Sequence, residues 1–221
     1  MIAMNLSTFS QGKPRINTSH PEDILAQCAM GIAACRELSK GTNASELALA
    51  FDGVSAYMPV LKAIVTESVQ YKKKAANFVT QCARIKTALG RIGWQQENLQ
   101  QATINAQEAV SFARVADDPA LLISSQVSLA WVYYYDHRSQ QGLQVLQDAL
   151  NTFKQSPSLP HSFEVRIYSA QAVLEAKTGQ HPEEALQRAH SALHKAANKD
   201  YYVFSDAIVP DAVVIVSLKW G

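Results

Sequence analysis

Small and apolar side chains step by three and four residues through eight successive stretches of this chain, each closed by a proline, a glycine or a cluster of turn-forming polar residues. That spacing puts them on one face of an α-helix. Only 9 Gly and 8 Pro occur in 221 residues, and most fall between the periodic stretches. An all-α chain follows, built from helices too short to stand alone and therefore obliged to pack against each other.

Local signals place the helices. Ser19 and Glu22 form a capping-box pair with Pro21 in the first turn, predicting a helix from about 20 to Leu38 that Lys40-Gly41-Thr42 closes. Asn43 and Glu46 repeat the pattern and open a second helix to Val65, with a kink or restart expected at Pro59. A third is expected from Val69 to Gly93, a fourth from Gln96 to Ala116, and a fifth from Pro119 to Asp136 after the Asp117-Asp118-Pro119 start signal. Ser139–Lys154, His161–Lys177 and Pro182–Asn198 complete the set, with the segment 155–160 as the clearest linker. Beyond Asp200 the β-branched residues fit a strand or a short helix equally well.

The balance of 20 basic against 19 acidic residues, a formal charge of +1, supplies no field for a polyanion, so nucleic acid is not the expected partner. No apolar core of signal-peptide length occupies the N-terminus, and residues 1–18 read as a flexible lead. The apolar tail Ala207–Leu218 contains Pro210 and Asp211 and falls short of the roughly 20 residues needed to cross a bilayer. Residues 201–221 therefore read as a capping segment behind a helical domain at 19–200, and no membrane contact is expected. Cys28 and Cys35 lie two helical turns, about 10 Å, apart, too far for a disulfide. With Cys82 they read as buried thiols of a reducing, cytoplasmic protein.

The helices also repeat. Small residues recur at Gly90, Ala130 and Ala172, and a small-x3-apolar-x2-Ala pattern recurs as Ala106/Val110/Ala113, Gly142/Leu146/Ala149 and Ala185/Ala189/Ala192. Small side chains at these positions let paired helices approach to about 8–10 Å. At these residues the chain resembles the tetratricopeptide repeat (TPR) family. Leu129-Ala130-x-x-Tyr133 is similar to the family's L-G-x-x-Y, Gly142-x3-Leu146-x2-Ala149 to its A-x3-F/Y-x2-A, and Gly179 with Glu183-Glu184-Ala185-Leu186 to its inter-helix turn. The family's early tryptophan and closing proline are missing from most units, and the repeats exceed the usual length. The stretches AYMPVLKAIVT and ARVADDPALLISSQVSLAWVYYYDHR also resemble the sensor half of bacterial helix-turn-helix regulators with TPR-like units, although no basic helix-turn-helix segment precedes residue 20.

The resemblance implies a right-handed superhelix of about four antiparallel helix pairs that binds a protein or peptide segment on its concave face. The groove positions it implies are Arg84, Thr87 and Arg91, then Val127, Trp131 and Tyr134, then Arg166, Ser169 and Val173. Arginines there would favour an acidic ligand, because guanidinium binds carboxylates bidentately. The run Trp131-Val-Tyr-Tyr-Tyr135 splays by about 100° per residue, so its rings cannot all enter the core. Tyr133 is expected inside, Trp131 and Tyr134 outside. The alternative function is a ligand-sensing regulatory fragment without its own DNA-binding domain, and homodimerisation stays open. His190 and His194 have the spacing of two zinc ligands but lack a glutamate between them and a third ligand, so a polar surface is expected instead. Lys72-Lys73-Lys74 reads as a solvated helix start. No phosphate-binding loop, nucleophile elbow or redox dithiol motif occurs, and neither an enzyme nor a cofactor is expected.

Overall fold

The computed structural model describes residues 9–10, 13–14, 20–92 and 98–196. Within them the chain forms eight helices, α1 (Pro21–Leu38), α2 (Ala44–Glu67), α3 (Lys72–Arg91), α4 (Leu99–Ala116), α5 (Pro119–Tyr135), α6 (Ser139–Lys154), α7 (Ser162–Thr178) and α8 (Glu183–Ala196). Ahead of them, β1 (Phe9–Ser10) pairs antiparallel with β2 (Lys13–Pro14), a two-residue pairing inside the expected N-terminal lead. The expected capping segment 201–221 lies outside the described residues.

The helix starts follow local chemistry, with corrections. Proline favours the first helical position, where its missing N–H would be unpaired anyway. Pro21 accordingly takes that position and His20 the N-cap, without a side-chain capping bond. Ser19, the expected cap, lies outside the described residues, and Glu22 accepts a 2.6 Å hydrogen bond from the Tyr71 hydroxyl. Asn43 and Asn98 do cap, accepting from the backbone N–H of Ser45 and Gln101. α3 starts three residues later than the sequence suggests. Ser68 Oγ accepts from the Tyr71 N–H at 3.4 Å, and Val69 stands 94% exposed in the intervening turn. Pro59 brings no restart. α2 runs through it because Met58, Leu61 and Ile64 on either side are buried, and packing outweighs the one lost backbone bond.

The helices group into two compact units divided between Asp118 and Pro119, within the span that the sequence reading drew as one repeat domain. In the first unit, α2 and α3 pack together, with α1 and α4 against them, around Leu25, Ile32, Val54, Leu61, Val79 and Leu89. Burying such a side chain contributes about 1.5–3 kcal/mol. By length and composition α2 could also cross a membrane, but Leu47, Ala50, Val54, Tyr57, Leu61 and Ile64 are used in the core of this unit. Lys62 in its C-terminal half pairs with Glu108 of α4. α4 closes at Asp117 in a left-handed backbone (φ 56°), and α3 holds that end of the unit through a 2.7 Å Lys73–Asp117 ion pair and a 3.2 Å bond from Asn77 to Asp118.

In the second unit, α5 packs against α6, α6 against α7, and α7 against both α8 and α5. α5 and α7 bury residues on nearly every side, whereas α8 buries one line of alanines, Ala185, Ala189, Ala192 and Ala196. Gly142 is where α6 comes closest to its neighbours. A methyl group there would lie 2.2 Å from Leu174 Cδ2 and 3.2 Å from the Ala130 carbonyl oxygen. Leu174 is fully buried, so any shift it makes must be taken up inside the packed core. Overpacking of this kind costs about 1–3 kcal/mol, more than the roughly 1 kcal/mol alanine gains over glycine in a helix. Gly142→Ala is therefore expected to lower the thermal unfolding midpoint, and a variant melting at or above wild type would show that the three helices can separate without cost.

Candidate functional site

The last turn and a half of α5 carries the densest aromatic chemistry in the chain. Val132 and Tyr133 enter the core as the splay of the run requires, and Arg138 lies over the Tyr133 ring at 4.4 Å. Arg138 is held in turn by Asp136 at 3.2 Å and by Gln141 at 2.8 Å, across a turn in which His137 adopts a left-handed backbone (φ 56°). Trp131 and Tyr134 are half-buried rather than exposed, since both also pack on the core of the second unit. Tyr135 is the ring that faces solvent, at 45% exposure.

These rings are ordered by edge-to-face contacts. Trp131 and Tyr134 have centroids 5.7 Å apart at 78°, and Tyr134 and Tyr135 5.2 Å apart at 83°. Such pairs contribute about 0.5–1.5 kcal/mol beyond the area they bury. Lys177 Nζ lies 5.2 Å from the Tyr134 centroid. This contact brings the C-terminal end of α7 beside that of α5. Lys177 was not among the sequence-predicted residues. Its signal was nevertheless present, because it lies eleven residues beyond Arg166, three full helical turns, and therefore on the same face of α7.

The remaining candidate residues divide between the units. Arg84, Thr87 and Arg91 share one face of α3, with both arginines half-buried. Thr87 is not available to a ligand, as it is buried and its hydroxyl donates to the Ala83 carbonyl at 2.8 Å. In the second unit Val127, Ser169 and Val173 are likewise buried and line no open surface. The family resemblance had implied a shared groove for them with Trp131, Tyr134 and Arg166, but burial takes them out of any such surface. Arg166 remains half-buried, and desolvation lowers the proton affinity of its guanidinium.

Elsewhere the chemistry is quiet. Cys28, Cys35 and Cys82 are buried free thiols, as the sequence suggested. Burial pushes Cys28 and Cys35 up to about 11 and Cys82 further, so none is a thiolate at neutral pH. Tyr57 in the same core is pushed up to about 12, first by burial and then by the neighbouring thiols. His190 and His194 are exposed on α8, and among the described residues no three metal-ligating side chains come together.

No family model, curated protein or solved structure matches this chain.

One carboxylate beside the aromatic end of α7 is perturbed. Desolvation, followed by Glu184 and Glu183, raises Glu175 above the ordinary range, against the Gln171 amide that donates to it at 2.6 Å and the Arg188 guanidinium. A carboxyl whose folded pKa is raised destabilises the fold where it is ionised, and that penalty disappears as pH falls through the folded value. Glu175→Gln is thus expected to raise the melting temperature at pH 7 and to match wild type in acid where both side chains are neutral. Melting curves across pH that differ by a constant amount would contradict this.

Proposed function

We propose that this chain is a TPR-like interaction module that binds a protein or peptide segment, with α5 and α7 of the second unit forming the receiving face. In this reading α5/α6 and α7/α8 are successive helix pairs of a right-handed superhelix, and α5 and α7 are the first helices of their pairs. The observation that supports it is the contact of Lys177 with Tyr134, which brings the ends of α5 and α7 together where aromatic and basic groups gather. Tyrosine and tryptophan bring large contact areas at small entropy cost, and they dominate the energetics of many interfaces. Lys177 and Arg166, on one α7 face, would favour acidic ligands over basic ones. The chain recognises and does no chemistry of its own.

Selection from a displayed peptide library on the wild-type chain, followed by affinity measurement on the selected peptides, tests this. Tyr135→Ala and Lys177→Glu should each weaken binding by about tenfold or more, as losing a central contact does. Helical circular dichroism and melting temperature should stay near wild type, because both side chains face solvent or a ring edge. A library that yields no enriched peptides, or peptides indifferent to both substitutions, would refute the assignment.

A further inference from the structure

We infer that residues 201–218 of this chain are themselves a ligand of the α5/α7 face, laid along α7 so that Asp206 meets Arg166 and Asp211 meets Lys177, and that an outside peptide binds by displacing them; the inference rests on the peptide-binding reading for the outside ligand. The segment has the chemistry that this face selects. It carries two acids, Asp206 and Asp211, and no base, and apart from Ser205 and Ser217 the rest of it is apolar or aromatic. The face offers rings at Trp131, Tyr134 and Tyr135 and cations at Arg166 and Lys177, none of them fully buried, with Tyr135 at 45% exposure. Opposed charges of this kind choose both partner and register.

The path of the chain delivers the segment to the right place. Ala185 packs with Ala172 and Ala176, and Arg188 lies over the Tyr168 ring at 5.7 Å, so numbers fall along α7 as they rise along α8 and the two helices are antiparallel. Ala196, about two turns beyond Arg188, therefore emerges towards the start of α7, the end that carries Arg166. Ten residues separate Ala196 from Asp206, enough for about 33 Å of extended chain, so the connection is long enough. The spacing of the charges then agrees. Arg166 and Lys177 are eleven residues apart, about 16 Å along the helix axis. Asp206 and Asp211 are five residues apart, also about 16 Å when extended. The residues between them favour that form, because Ile208 and Val209 are β-branched and Pro210 biases Val209 away from the helical region. Asp211 then reaches the ammonium that lies 5.2 Å from the Tyr134 ring.

The test keeps the whole chain. Ala212→Cys supplies a thiol for a nitroxide label, and Cys28, Cys35 and Cys82 do not compete because they are buried and protonated at neutral pH. Amide signals are compared with the nitroxide oxidised and reduced. The largest signal loss is expected at Tyr134, Tyr135 and Lys177. Asp211→Lys should abolish most of it, and Asp211→Lys combined with Lys177→Glu should restore it, since the pair re-forms with its charges exchanged. Asp211→Lys should also tighten binding of selected peptides about tenfold, as when a face about nine-tenths occupied is freed. No signal loss, loss centred away from the ends of α5 and α7, or a double variant that behaves like Asp211→Lys alone overturns the inference. Loss and rescue with no peptide selected would leave the inner contact standing and defeat the outside-ligand reading. Selected peptides whose affinity ignores Asp211→Lys, with no signal loss, would do the reverse.

Discussion

Where α6 packs against α5 and α7, Gly142 has no side chain and Ala130, Ala149 and Ala170 carry only a methyl group, so the helix backbones come close enough for the larger residues to interlock around them. The core of the second unit depends on that proximity. Ile123, Leu146, Ile167 and Leu174 fill the space left between the lines of small residues and are almost wholly excluded from water. The first unit is built similarly, with Ala50, Ala75, Ala83 and Ala109 buried among leucines, valines and the three thiols. Close packing of this type tolerates little change in volume at the small positions.

One consequence is that the inner helices have little surface left for function. α5 and α7 are surrounded, and their polar residues are mostly satisfied within the helix itself. A serine or threonine bonded to the carbonyl one turn back costs the core little, as Thr80, Thr87 and Ser125 illustrate. Chemistry therefore concentrates at the helix ends. At the end of α5 the chain runs into a left-handed turn, and Tyr134, Tyr135, Arg138 and Lys177 gather there.

Helix positions were readable with little error because the signals that set them act over about four residues. Asn43 and Asn98 cap through their own side chains, Gly179 closes α7 in the left-handed conformation that residues with a Cβ resist, and Pro119 opens α5. Errors arose where two local signals competed or where packing overrode one. The first helix takes His20 rather than Ser19 as its cap, and the buried residues flanking Pro59 carried α2 through a proline that in isolation would interrupt it. The candidate site was legible by halves. The aromatic run could be read from spacing and Arg166 from the family resemblance, but the choice of which rings stay outside could not, because Trp131 and Tyr134 pack on residues contributed by other helices.

By itself, then, the amino-acid sequence determined the eight helices, the Asn43 cap, and the lines of small residues that oblige them to pair, all consequences of propensity and periodicity within one helix. Only the tertiary structure decided the division after Asp118, the burial of Thr87, Val127, Ser169 and Val173, and the meeting of Lys177 with Tyr134. Periodicity says which side chains share a face. Whether that face meets water, another helix or a ring from a distant part of the chain depends on neighbours that no local pattern encodes.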